Sequence, residues 1–218
     1  MDFEADRLAM ISEIQRHAKE SSAYTGITHF SENVLKSMME VPRHEFVPDS
    51  QKKFSYDDSA QSIGAGQTIS QPFIVALMCQ ALELKKSDRV LEIGTGCGYH
   101  AAVLSRLCHE VITVEVIPEL AALAAKNLQP YSNVQVYIRD GHGGFKEKAP
   151  FQAISVAAAA DAVPDALIEQ LAPEGKMIIP LQNSFQGGQN LALITKRDNG
   201  SIYRKNILPV IFVPFVKK

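Results

Sequence analysis

The sequence predicts an α/β fold: a mostly parallel, twisted sheet with helices on both faces, an antiparallel C-terminal edge, and an N-terminal helical segment. Two observations predict it. From Arg89 onward, short strand-like runs alternate with helix-length amphipathic stretches, the rhythm of parallel strands joined by crossover helices. The last three apolar runs then follow one another without a helix-length spacer, which suits antiparallel pairing. At 218 residues and 46% hydrophobic, the chain can bury a sizeable core. It reads as one domain over residues 1–218, with a helical and loop segment at 1–69 and the sheet core at 70–218.

Taken in order, residues 3 to 20 place apolar side chains at Leu8, Ile11, Ile14 and Ala18, a helical period. Ser31 caps a second helix to about Glu40, which "VPRHEFVP" ends through Pro42 and Pro48. Residues 49 to 69 read as an ordered loop region, with Gly64 and Gly66 supplying flexibility. Pro72 suits the first turn of a helix to about Glu83, and Ser70 reads as its N-cap. The strand "RVLEI", a helix over 98–108, the strand "EVITVE" and a helix from Pro118 to about Leu128 follow. "NVQVYI" and "FQAISVA" are strands, "PDALIEQL" a helix, and "GKMIIPL", "NLALIT" and "ILPVIFVPF" the closing strands.

Several function classes are disfavoured by composition. A net charge of -2 without clustered basic residues gives no nucleic-acid footprint. No window approaches the ~20 apolar residues of a membrane span. The opening "MDFEADRLAM" is acidic and amphipathic, unlike a signal peptide, so the expected location is the cytoplasm. There Cys79, Cys97 and Cys108, which form no CxxC pair, are expected to be reduced thiols. The histidines at 17, 29, 44, 100, 109 and 142 show no ligand spacing, so no metal is expected.

"VLEIGTGCGYHAAVL" (90–104) is a strand, a glycine-rich turn and a helix. Glycines at 94, 96 and 98 let the backbone turn sharply and approach a ligand closely. The spacing is GxGxG, not the GxGxxG that seats a dinucleotide pyrophosphate, and Glu92 within the motif would face a diphosphate badly. It would suit an ammonium group. Glu115 ends the next strand, where a carboxylate can accept hydrogen bonds from a ribose diol, and Asp140-Gly141 follows the third, where an adenine can be received. Three loops at successive strand ends thus converge on one nucleoside crevice, and a ligand with adenosine but no phosphate fits it best: S-adenosylmethionine.

Together with "APFQAISVAAAA", "FVPFV" and above all "GQTISQP", this loop resembles the protein-L-isoaspartate (D-aspartate) O-methyltransferases of the bacterial type, over about residues 30 to 218. The resemblance implies a Rossmann-like S-adenosylmethionine-dependent methyltransferase acting on the α-carboxyl of L-isoaspartyl residues in damaged proteins. The ester collapses to a succinimide that reopens partly to aspartate. It also implies that Gln67, Thr68, Ile69 and Ser70 line the junction of cofactor and substrate, with Ser70 the catalytic-site serine. Expected cofactor-binding residues are these four with Glu92, Gly94, Thr95, Gly96, Glu115, Asp140 and Gly141. Partners are isoaspartyl peptides and proteins, with no nucleic acid or membrane, and the expected state is a monomer or weak homodimer.

The chemistry agrees. A carboxylate acceptor is already an anion at neutral pH, so no general base is needed. Holding it in line with the methyl donor can be worth roughly 7–11 kcal/mol. On the residues alone Ser70 remains readable as a simple N-cap, and "LPVIFVPF" either as a plain edge strand or as the family segment along which peptide lies. Cys97 reads as packing inside the glycine loop, Tyr99 and His100 as packing or surface residues, and "AAAA" at 157–160 as permitting close backbone approach. A nicotinamide-dependent oxidoreductase is opposed by the GxGxG spacing and Glu92, and a non-catalytic binding module by the intact Glu115 and Asp140. The sequence departs from the family pattern at Arg139, where glycine is usual, at "GHGGF", which replaces a stretch that commonly ends in tryptophan, at Ala157, where threonine is usual, and at Val216, where some members carry a hydroxyl. These departures bear on substrate contacts.

Overall fold

The structure, a computed structural model, describes residues 3–183 and 187–216. The chain opens with α1 (Glu4–Glu20), the single turn α2 (Ser22–Thr25) and α3 (Glu32–Glu40). α1 buries Met10, Ile14 and Ala18, one stripe at i, i+4, i+8. Leu8, expected on that stripe, is instead exposed. Ser31 caps α3 as expected, its hydroxyl accepting the Val34 N–H at 3.5 Å. Beyond Pro42 the wholly buried Arg43 donates to the Ser55 carbonyl at 2.8 Å and lies over the Tyr99 ring, 4.8 Å from its centroid.

Residues 49 to 69 hold more order than the loop expected there: a 3-10 turn over Asp49–Phe54, then a hairpin of β1 (Gln61–Gly64) and β2 (Gln67–Ile69). Only four and three residues long, these strands lie below the length at which alternation is legible in a sequence. The chain then enters α4 (Pro72–Leu82), in which every residue except Gln80 is buried. Apolar all round, α4 is a core helix, packed between the sheet and α1 with α3. Its N-cap is Gln71, with no side-chain cap bond of its own. The expected N-cap, Ser70, stands one residue too early to serve.

The main sheet comprises β3 (Arg89–Ile93), β4 (Glu110–Glu115), β5 (Val134–Ile138), β6 (Phe151–Val156), β7 (Leu171–Gln182), β8 (Gln189–Lys196) and β9 (Ile202–Val210). Their spatial order is β5-β4-β3-β6-β7-β8-β9. The first five are parallel, and β8 and β9 add antiparallel at one edge. α5 (Tyr99–Ser105) and α6 (Pro118–Asn127) connect the strands on one side of β3, and α7 (Asp165–Gln170) leads into β7 on the other. β9 ends earlier than the expected strand "ILPVIFVPF": residues 211–216 leave the ladder, with one bridge from Pro214 to Ala159.

Both sheet faces are buried, which is why the central strands read as continuous apolar runs. One face packs Val90, Val111, Ala153 and Ile178 against α4, α5 and the N-terminal helices; the other packs Leu91, Ile112, Ile154 and Met177 against Leu167 of α7 and Phe145. A polar row crosses the first face, because Glu92 stands beside Thr113 on β4 and Ser155 on β6, all three wholly buried. Strand order reverses between β3 and β6, so a crevice opens at the carboxyl ends there. Among the described residues no helix is long and apolar enough to cross a membrane.

Candidate active site

A cavity of about 1050 Å³ occupies that crevice. The loop between β3 and α5 forms its floor. Gly94 N–H donates to the Val114 carbonyl at 2.9 Å, which ties the turn to β4. Gly98, at φ 93°, takes the left-handed conformation that starts α5, and a Cβ there would sit 2.9 Å from Leu128. Beneath the loop, Thr113 donates to Glu92 Oε2 at 2.5 Å, so the 2.6 Å contact between Thr95 and Thr113 has Thr95 as its donor.

Glu92 itself lies behind the cavity wall and not among its lining residues. Its Oε1 has no hydrogen-bond partner and stands 3.7 Å from His100 Nδ1. Burial pushes the Glu92 carboxyl up to about 8 and the His100 imidazole down to about 4, so both are held towards their neutral forms. His100, nearly buried, does line the cavity.

Glu115 faces the cavity from the end of β4. Oε1 accepts the Val116 and Ile117 N–H groups at 2.9 and 3.0 Å, and Oε2 accepts the Gly96 N–H at 2.9 Å. The carboxylate thus pins two loops together while keeping lone pairs for a ligand. After β5, Arg139 and Gly141 line the cavity, but Asp140 does not. Its Oδ1 accepts the His142 N–H at 2.9 Å and faces Nδ1 of the same ring at 2.8 Å. Gly141 permits no side chain, because a Cβ would come within 2.3 Å of Ile93 Cγ2.

The opposite wall is made by Gln67 to Gln71 and by residues 211–216. Ser70 is half-buried, and its hydroxyl has no hydrogen-bond partner among the described residues. The 211–216 tail is strapped in place. Gln189 accepts the Phe212 N–H at 2.6 Å and donates to its carbonyl at 3.1 Å, and Phe215 N–H donates to the Ala159 carbonyl at 2.8 Å. Phe215 stacks on His142 with centroids 3.9 Å apart.

Of the expected site residues, Gln67 to Ser70, Gly94, Thr95, Gly96, Glu115 and Gly141 share one cavity; Glu92 is buried behind it, and the partly exposed Asp140 stands beside it. Cys97 is buried with its thiol pushed up to about 11, in keeping with packing. No group of three or more His, Cys, Asp or Glu suited to a metal occurs among the described residues. The sequence reading missed His17, Glu20, Ser21 and Tyr24, which also line the cavity. Nothing local marks them, since it is the packing of α1 beside α4 and of α2 beside β9 that brings them there.

Residues 19–218 match the family model described as protein-L-isoaspartate(D-aspartate) O-methyltransferase (PCMT). The chain belongs to this family. It is 46% identical over 211 residues to protein-L-isoaspartate O-methyltransferase 2 of Nitrosococcus oceani, covering 96% of this chain and 95% of that protein. It is 46% identical over 214 residues to protein-L-isoaspartate O-methyltransferase 1 of Cupriavidus necator, covering 97% and 82%. Among solved structures, a protein-L-isoaspartate O-methyltransferase superposes with TM-score 0.82 at 28% identity; the match covers 95% of this chain but 65% of that longer one. A beta-aspartate methyltransferase from Plasmodium falciparum, in complex with S-adenosyl-L-homocysteine, shares the fold with TM-score 0.77 at 24% identity, covering 95% and 99%.

Three of the departures from the family pattern, Arg139, Ala157 and Val216, have a local setting. Arg139 pairs with Glu147 at 2.9 and 3.1 Å and lies 4.3 Å from the Phe145 ring centroid. Ala157 packs against Gly94, 3.5 Å from where a Cβ on that glycine would lie. Val216 is exposed at the cavity wall.

Proposed function

We propose that this chain transfers a methyl group from S-adenosylmethionine to the α-carboxyl of L-isoaspartyl residues in damaged peptides and proteins, starting their repair to aspartyl. One observation carries the reading: a single cavity joins the glycine loop and Glu115 to the Gln67–Ser70 loop, in a chain of the isoaspartate methyltransferase family. The residues suit the donor. Gly94, Gly96 and Gly141 line the cavity without side chains of their own, and Glu115 offers a carboxylate at the end of the second parallel strand. Glu92, buried behind the loop, supports it through Thr113 and Thr95.

When bound, S-adenosylmethionine supplies a methyl group carried on a positively charged sulfur. We assign its binding to Gln67, Thr68, Ile69, Ser70, Glu92, Gly94, Thr95, Gly96, Glu115, Asp140 and Gly141, with Asp140 acting by shaping the Gly141 turn. Ser70 is the transfer-site residue. Its hydroxyl, free of any partner among the described residues, donates a hydrogen bond to one oxygen of the acceptor carboxylate and orients the other. No side chain need take a proton, because the acceptor is ionised at neutral pH. The strapped tail at 211–216 offers apolar surface and extended backbone along which a peptide lies. The chain acts as one catalytic unit, as a monomer or weak homodimer. Its three free, buried cysteines support a reducing compartment, the cytoplasm.

An isoaspartyl linkage leaves its carboxylate on the α-carbon while the main chain runs on through the β-carbonyl. A normal aspartyl residue carries the carboxylate one methylene farther out. A misplacement of about 1 Å can cost on the order of 10²-fold in rate. Matched isoaspartyl and aspartyl peptides are therefore expected to differ at least that much in methyl transfer. Equal labelling of both would defeat the substrate assignment and leave methyl transfer itself standing.

A further inference from the structure

Asp58 stands at the centre of a hydrogen-bond chain that joins α1 to the start of α4. Its side chain is only 4% exposed. Oδ2 contacts His17 Nδ1 at 2.5 Å and accepts from Gln71 Nε2 at 2.9 Å, while Oδ1 accepts the Phe73 backbone N–H at 2.7 Å. One orphan donor of the first turn of α4 is thereby satisfied from another part of the chain. On the far side, Arg16 Nη2 lies 2.9 Å from His17 Nε2. Glu13 Oε1 also lies 3.5 Å from Nε2. An ionised carboxylate only accepts, so Nδ1 carries the proton given to Asp58. The Phe73 ring meets the His17 ring edge-on, with centroids 5.5 Å apart. His17, Ser70, Gln71 and Phe73 all line the cavity.

The geometry points to His17 as a positioning residue for methyl transfer, acting through Asp58 on the Ser70-Gln71 segment. His17 fixes the Asp58 carboxylate; Asp58 holds the Gln71 amide and the Phe73 N–H; Ser70 is the residue directly before them. Because Asp58 anchors the helix start, the Ser70 hydroxyl is left for a ligand. The inference rests on the assignment of the transfer site to the Gln67–Ser70 loop and extends it to α1. His17 lies ahead of residue 19, where the family match begins. Loss of the His17 bond frees one of three anchors on Asp58, so the expected loss is smaller than the 10²-fold of a full ångström's displacement.

The test compares the full chain with H17A, H17N and S70A, using S-adenosylmethionine and an isoaspartyl peptide. In H17A the single-turnover rate at saturating peptide falls about tenfold. The peptide KM and the S-adenosylhomocysteine Kd stay within about twofold, and hydrogen exchange at the Phe73 amide quickens. H17N, whose amide N–H sits where Nδ1–H sat, recovers most of the rate and the slow exchange. H17A at the wild-type rate beside a slowed S70A overturns the role of His17 and leaves the Ser70 assignment intact. A loss in H17A that H17N does not restore makes His17 a packing residue and also overturns the proposal. S70A at full rate removes the loop from the transfer site, and the role of His17 with it.

Discussion

Ser70 stands one residue before the N-cap of α4, so removing its hydroxyl takes no capping bond from the helix. A capping serine replaced by alanine costs about 0.5–2 kcal/mol. Ser70→Ala is therefore expected to leave the urea midpoint nearly unchanged while turnover on an isoaspartyl peptide falls. Full turnover with a lowered midpoint would restore the capping role. Glu115 carries a different kind of commitment, since its carboxylate accepts three backbone N–H groups and also faces the cavity. Hydrogen bonds to a charged group are worth about 1.5–3 kcal/mol. Glu115→Ala should weaken S-adenosylhomocysteine binding by roughly that amount in isothermal titration, and unchanged affinity would remove it from the site. Glu115 was legible in the sequence from its place at a strand end, whereas the role of Ser70 was implied only by the family resemblance, since its own neighbours read it as an N-cap. His17 and Asp58 were not legible, because their meeting depends on how α1 packs beside α4.

At the scale of elements, the cavity wall at 211–216 depends on a side chain of β8. Gln189 makes two hydrogen bonds to the Phe212 backbone, so the tail is held although it has left the ladder. Each such bond contributes about 0.5–1.5 kcal/mol. Gln189→Ala is expected to raise the peptide KM by about 3–10-fold with kcat retained at saturation. A fall in kcat with KM unchanged would show that the tail does not seat peptide. The β1–β2 hairpin escaped the sequence reading because two strands this short carry no period of their own. α4 did not escape it as a helix, since Pro72 and the apolar run after it mark its start, but its burial on every side except Gln80 came only with packing.

Across the whole molecule, the polar row of Glu92, Thr113 and Ser155 in the central sheet links stability to pH. With its carboxyl pushed up to about 8 by burial, the folded protein keeps a proton on Glu92 that the unfolded chain has released above about pH 4.5. That makes stability fall as pH rises towards 8. His100, pushed down to about 4, acts in the opposite sense up to its ordinary value of 6.5, because there the unfolded chain holds the extra proton. The two oppose each other below pH 6.5, and Glu92 dominates above it. Glu92→Gln has no proton to lose, so it should gain on the wild type by about 2 kcal/mol between pH 6.5 and 8. Urea denaturation at both pH values checks this, and an equal difference at the two would exclude a neutral Glu92.

What the sequence determined by itself was everything carried by local period and spacing. The alternation of strands and helices from Arg89, the glycine loop with Glu92, the strand-end Glu115 and the "GQTISQP" stretch belong here. Each is written within about fifteen residues, where backbone geometry and side-chain direction are set by near neighbours. The tertiary structure decided what depends on contacts across the chain. It put Glu92 behind the cavity wall and Asp140 beside it, bent residues 211–216 out of the last strand, and gave the start of α4 an anchor in Asp58. Burial and partner choice are properties of the packed whole, so a hydroxyl read as a cap from its neighbours could be released by a carboxylate from elsewhere in the chain.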